Sequence, residues 1–351
     1  MRKYYLDTLR LMAIVIVIFM HVFMIYSSLP YYLNFTNIDL LTAIIFIMLS
    51  WLMPLLFVIA GITTFYSFKK RSVKDYLKER VLRLLIPFIS AMIFLNPILS
   101  YFGMKTHENL PMNFFEYYPI IFTKITDLTG YDGGLTLGPA WFILYLFIVS
   151  CIALVIIKLL KDRIDLSKRD LSFPILILLG LIPVIAFPIL GSGTEKSIGT
   201  YVALFLLGYY VLSNDNVMEK LEKNKIILCV LTVILTVIYL LAMTFPNSIF
   251  ISLSHYYVVF YGWIWILLLL VIGKLFLNKT NNILQYLSES SFTIYIFHES
   301  ILIAFAFYIL QITSNIYLQM ILILILTVTF SIGAYVICKQ FKITKFLFGI
   351  K

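Results

Sequence analysis

Long apolar runs separated by short polar stretches account for most of the chain. They cover roughly positions 4–27, 39–68, 84–103, 139–160, 172–190, 197–212, 226–245, 255–276, 290–311 and 317–338. Most approach the ~20 residues that a helix needs to cross a hydrocarbon core of ~30 Å. The pattern predicts an all-α, polytopic membrane bundle of about ten transmembrane helices. The second run would be ~45 Å long as a helix, more than the core requires, and Pro54 and Gly61 within it predict a kink or a strong tilt. The longest polar connection, Met104 to Gly138, holds FFEYYPIIF, expected to lie flat at the interface, and then DLTGYDGGLTLGPAW, expected to form a flexible rim over a site. No internal repeat and no matched pair of broken helices is visible.

Charge orients this layout. Of the 27 Lys and Arg, all but Lys105, Lys124 and Lys196 fall at the chain ends or in alternate connections, among them Arg2, Lys3, Arg10, the cluster from Lys69 to Arg83, and Lys158, Lys161, Arg163, Lys168 and Arg169. The remaining connections hold Asp39, Glu108, Glu116, Asp127, Asp132 and Glu195. Such asymmetry predicts cytoplasmic N- and C-termini, hence an even number of spans, in a multi-pass protein of the cytoplasmic membrane.

Composition agrees. The chain is 62% hydrophobic and 13% charged, with a mean hydropathy of +1.00, too little polar surface to cover a soluble core. The net charge of +10 therefore reads as a membrane-side bias and not as a nucleic-acid footprint. Cys151, Cys229 and Cys338 lie in apolar runs without metal-ligand spacing, so they are packing residues, and no metal or resident cofactor is expected. The first run begins like a signal peptide, with Arg2 and Lys3. It is too long, however, and no small-x-small site follows, so it is expected to remain as a helix. Once the spans are assigned, positions 1–351 are expected to form one membrane domain with no extra soluble domain.

The costly residues carry the chemistry. Arg10 and His21 are eleven apart, three turns plus ~20°, which puts them on one helix face ~16 Å apart along the axis. Arg10 either reaches back to headgroups, with Asp7 one turn away as partner, or lines a shared cavity. His21 either hydrogen-bonds a neighbouring helix or transfers protons. In KKRSVKDYLKERVLRLLIPF, Arg80 and Arg83 are i, i+3 neighbours. They belong either to an ordinary basic cluster or to an anion site, since guanidinium forks suit phosphates. LGPAWFILYLF opens a span at its outer end, with Pro139 in the first turn and Trp141 at the interface. YLSESSFTIYIFHES, capped by Ser288 or Ser290, carries His298 and Glu299 about ten residues in, with Tyr295 one turn from His298. Two histidines at similar depth suit one polar cavity. His107 is expected in solvent, and His255 at an interfacial helix end.

The opening YYLDTLRLMAIVIVIFMH resembles the first-helix signature of the membrane-bound acyltransferase-3 family: a basic residue, ten positions, a histidine. RVLR at 80–83 resembles the family's paired-arginine motif, and GPAWFILYLF and SFTIYIFH resemble its fourth-helix and late-helix segments, in family order. The spacing from the second span through RVLR and IPF is similar to that of the glucan-modifying branch. The resemblance implies O-acyl transfer, often of acetyl from acetyl-CoA, to a hydroxyl of an extracytoplasmic glycan or related cell-surface molecule. Acyl-CoA is then a co-substrate, and the lipid bilayer the surrounding partner. By motif match His21 is the catalytic residue, and Arg10, Arg80 and Arg83 bind the donor. His298, Tyr295 and Trp141 are the further substrate-contact candidates. From the residues alone, a secondary transporter or flippase for a lipid-linked sugar or other anionic substrate, or a scaffold subunit of an export complex, stays open.

Overall fold

Residues 3–124, 133–160, 170–190, 196–244 and 248–350 are described by a computed structural model. Among the positions used above, Arg2, Asp127, Asp132, Lys161, Arg163, Lys168, Arg169 and Glu195 lie outside the described residues, as does the 125–132 part of the glycine-rich stretch.

The described residues are helical, with no β-strand. The helices are α1 (Tyr4–Met24), α2 (Asp39–Phe68), α3 (Val73–Arg80), α4 (Ile86–Phe94), α5 (Asn96–His107), α6 (Phe114–Ile121), α7 (Trp141–Leu160), α8 (Phe173–Leu178), α9 (Leu181–Ala186), α10 (Ile198–Leu207), α11 (Asp215–Lys223), α12 (Lys225–Thr244), α13 (Ser248–Phe276), α14 (Asn282–Ile312), α15 (Ile316–Cys338) and α16 (Lys342–Leu347). Five-residue π-turns follow α3 at Val81–Leu85 and α10 at Gly208–Leu212, and a 3₁₀ turn at Gly138–Ala140 leads into α7.

Eight of these segments are long and apolar enough to cross a membrane, and the protein is a polytopic all-α membrane protein. The expected spans at 172–190 and 197–212 are the shorter apolar helices Phe173–Ala186 and Ile198–Leu212. The first of these breaks between α8 and α9 because Pro183 has no N–H to give the Leu179 carbonyl. That carbonyl accepts from Ile182 instead.

The chain divides into two compact units. The first comprises Met1–Ala13, Phe46–Lys78 and Tyr145–Asn281. Here α2 runs through Pro54 as one helix. The ring deprives the Ser50 carbonyl of its helical donor. Gly262 of α13 lies so close to that oxygen that a Cβ there would stand 2.1 Å from it. Gly61 likewise faces the Phe205 carbonyl of α10, at 2.0 Å from a notional Cβ. Small residues thus let neighbouring backbones close on α2, as membrane packing favours.

The second unit comprises Ile14–Ile45, Glu79–Leu144 and Asn282–Lys351. Its core joins Tyr26, Tyr31 and Leu33 to Leu99 of α5, Leu302 and Ala306 of α14, and Ile323 of α15. α14 begins at Asn282, so Ser288 and Ser290 lie inside it and do not cap it. Ser290 instead bonds back to the Leu287 carbonyl. The segment 133–138, expected to be part of a flexible rim, is buried or half-buried and bonded. Tyr117 Oη donates to the Gly133 carbonyl (2.9 Å), Ser100 Oγ to Gly134 (2.7 Å), and the Asn96 amide to Thr136 and Leu137 (2.7 and 2.8 Å). Non-helical backbone inside a membrane protein needs such partners, because lipid supplies none. The FFEYYPIIF stretch forms α6, started by a capping box between Asn113 and Glu116. It buries Tyr117 and Ile121 and exposes Phe115.

Candidate active site

α14 is the most polar of the long helices at its buried face. Ser290, Ser291, Thr293, His298, Glu299 and Ser300 all point inward, where each needs a hydrogen-bond partner. His298 finds two. Its Nδ1 lies 2.5 Å from the carbonyl oxygen of Tyr295, one turn earlier on the same helix. Its Nε2 lies 2.9 Å from Nδ1 of His21 on α1.

These partners assign the protons. A carbonyl only accepts, so His298 Nδ1 carries hydrogen, and in the neutral ring its Nε2 is a lone pair. His21 Nδ1–H therefore donates to His298 Nε2. That leaves His21 Nε2 as the unprotonated nitrogen, the form a general base requires. The ring centres are 5.1 Å apart with planes 6° from parallel. At that separation the nitrogens meet at 2.9 Å only if both point along the line of centres, so the rings lie edge to edge and not face to face.

Tyr31, in the connection after α1, completes the cluster. Its ring lies 6.1 Å from that of His21 at 22°, and its hydroxyl donates to Glu299 at 3.0 Å. Glu299 is buried, beside His298 in sequence. One ligand atom each from His21, His298 and Glu299 falls within 4.8 Å of the others, a donor set that could hold a divalent ion. In the neutral tautomers assigned above, however, the His21 Nδ1–H lies between the two imidazoles, so their lone pairs do not converge. The set reads more naturally as a proton path beside a carboxylate.

Tyr295 holds this path in place at both ends: its carbonyl fixes His298, while its hydroxyl donates to the Pro139 carbonyl at 2.6 Å. Pro139 belongs to the 3₁₀ turn that starts α7, and Trp141, partly buried, is the first residue of that helix. Trp141 touches Phe142 (6.2 Å, 83°), which meets the Tyr295 ring edge-on (5.6 Å, 73°). His107, expected in solvent, is exposed but bonded, its Nε2 3.1 Å from the Tyr31 carbonyl. His255 lies within α13 and stacks on Phe187 at 5.6 Å.

The structure joins His21, Tyr295 and His298 directly and reaches Trp141 through Phe142. Arg10 belongs to the first unit, where Nη1 lies 3.7 Å from Asp7, the expected pairing. Arg80 ends α3, and Arg83 lies in the following π-turn with Nε 3.3 Å from Glu79. Such turns concentrate at functional sites, because the extra residue redirects side chains. Tyr31 and Glu299 were not singled out by sequence reasoning as site residues. The signal for Glu299 was its place next to a buried histidine. For Tyr31, in PYYLN, there was none.

An acyltransferase-domain family model, that of acyltransferase-3, matches residues 3–337. The chain belongs to the acyltransferase-3 family. This acyltransferase-3 protein is therefore a multi-pass membrane acyltransferase. It is 25% identical, over 379 aligned positions, to glucans biosynthesis protein C of Escherichia coli O157:H7 (strain EC4115 / EHEC), covering 100% of this chain and 95% of the relative. A shorter match to glucans biosynthesis protein C of Shigella dysenteriae serotype 1 (strain Sd197), also 25% identical over 173 residues, joins 48% of this chain to 42% of that relative, less than half its length. No solved structure matches the chain.

Proposed function

We propose that this acyltransferase moves an acyl group, acetyl in the simplest case, from acyl-CoA to a hydroxyl of an extracytoplasmic glycan, with His21 as general base. The observation that carries this is the edge-to-edge histidine pair: the bond from His298 Nδ1 to the Tyr295 carbonyl leaves His21 Nε2 with a lone pair. Glucans biosynthesis protein C as the relative supports a glucan acceptor.

In this reading His21 Nε2 takes the proton of the acceptor hydroxyl as its oxygen attacks the thioester carbonyl. The tetrahedral intermediate collapses, the carbon–sulfur bond breaks, and the ester forms. The proton on His21 then passes to the departing CoA thiolate. While His21 is positively charged, its Nδ1–H bond to His298 becomes charge-assisted, and the nearby Glu299 carboxylate favours the cation. Base catalysis of this kind supplies ~10²–10⁴-fold. Arg10, Arg80 and Arg83 bind the donor phosphates, for which guanidinium groups are well shaped. Trp141 borders the site as a substrate contact. Tyr295 acts through His298. The positive-inside distribution supports a cytoplasmic-membrane location, with donor entry from the cytoplasm.

The test is CoA release and acceptor mass in detergent-purified protein given acetyl-CoA and a linear glucan. The expected result is one acetyl added per CoA released, abolished in His21→Ala. Full activity in that variant would overturn the assignment. Unchanged acyl-CoA affinity after Arg80→Ala and Arg83→Ala would remove the arginines from the donor site.

A further inference from the structure

The first unit carries a second basic constellation that the chemistry above does not use. Lys3, immediately before α1, places its ammonium 5.0 Å from the centre of the Tyr66 ring. Lys69, just past the end of α2, places its own 5.4 Å from that ring and 4.5 Å from Phe65. The Tyr66 hydroxyl donates to the Ser213 carbonyl at 2.7 Å, which holds the ring between the two cations and the start of α11. From the first turn of α11, the Asp215 carboxylate bonds Lys3 Nζ at 2.5 Å.

Three features distinguish this place from a solvated basic cluster. The Lys3 side chain is only 18% exposed, whereas Asp215 is 72% exposed, so the cation is built in and its present partner is displaceable. Burial pulls the Lys3 pKa down, but hydrogen bonds to Asp215 and Tyr66 outweigh this and raise it, so the ammonium stays charged. The Tyr5 hydroxyl, within electrostatic reach of Lys3, Tyr66 and Asp215, is fully buried and lacks a hydrogen-bond partner. Tyr5 is 2% exposed. Such a donor calls for an acceptor. The N-terminal end of α11 adds its dipole, which favours an anion.

We propose that Lys3, Lys69 and the Tyr5 hydroxyl form a binding site for a phosphate monoester, and that Asp215 holds the anion position until phosphate displaces it. Two sources carry that group: the 3′-phosphate of coenzyme A and a phosphatidic-acid headgroup. Assignment to coenzyme A rests on the acyl-CoA reading above. In that case the subsite takes the 3′-phosphate of the donor.

The test uses the full chain in detergent and measures affinity for CoA and for 3′-dephospho-CoA by calorimetry. It compares wild type with Lys3→Met/Lys69→Met, Tyr5→Phe and Asp215→Asn. The expected result is that the double variant weakens CoA by about tenfold or more, the scale of a lost charge-assisted contact, and leaves dephospho-CoA unchanged. Asp215→Asn should tighten CoA a few-fold, a gain that damage to the fold would not produce. A parallel arm measures binding to nanodiscs of neutral lipid with and without phosphatidic acid. If the double variant loses that preference and keeps its CoA affinity, the site stands, its source is lipid, and the donor assignment is overturned. If wild type binds neither nucleotide, the acyl-CoA reading fails, and the nanodisc arm alone decides the site. No change in either arm, with Asp215→Asn also silent, overturns the proposal.

Discussion

Helices α12 and α14 are both long enough to cross a membrane, yet they treat their side chains in opposite ways. α12 turns Ile226, Val230, Val233, Ile234, Val237 and Leu241 outward. α14 buries its serines, Thr293, His298 and Glu299, and gives them partners: Ser300 Oγ bonds the Leu95 carbonyl, and Glu299 accepts from Tyr31. In a water-soluble protein the apolar helix would be the interior one. In hydrocarbon an apolar side chain gains little by burial, whereas a polar one must find its partner inside the protein. The polar helix therefore carries the candidate site, and the apolar one turns its side chains outward.

The largest expected effect breaks the chemical side of this contrast. His21→Ala should lower turnover by ~10²–10⁴-fold while the protein still elutes as a folded species. CoA release against size-exclusion profile checks this. His298→Ala removes the group that orients the His21 proton and should cost about 10²-fold, with acceptor KM little changed, since the base and not the binding surface is affected. A titration of turnover against acceptor concentration separates the two.

The lipid side breaks differently. Ile234→Asp places a charge near the middle of α12 and should cost ~2.5–3.5 kcal/mol of insertion, read as loss of membrane-integrated protein, while activity per folded molecule holds. Asn96→Ala leaves the buried Thr136 carbonyl and the part-buried Leu137 carbonyl without this donor, at ~1–3 kcal/mol in thermal unfolding. The smallest effect is expected of Ile234→Ala, within ~0.5 kcal/mol, because a lipid-facing side chain fills no cavity. A larger loss there would show that α12 packs against something other than lipid.

Much of this was legible in the chain. The apolar runs marked the helices because a span of hydrocarbon sets a minimum length, and His21 and His298 stood out because charge-capable residues are costly there. Other features were misread for a physical reason. GGLTLGPA looks like a flexible loop in sequence, since glycine suits loops. It is instead clamped by Asn96, Ser100 and Tyr117, residues up to some forty positions away that no local pattern links to it. A distant partner also meets the Ser50 carbonyl, freed by Pro54 and approached by Gly262 from another helix.

The sequence by itself determined the class of protein, the approximate spans and the residue types at the site, because hydropathy and the cost of buried charge are properties of each segment alone. Only the tertiary structure decided which nitrogen of His21 is free. That depends on a carbonyl one turn before His298, on the bond between two rings 277 residues apart in the chain, and on Tyr31 and Glu299 closing around them. A proton's position is set by its neighbours in space, and those are fixed only when the helices pack.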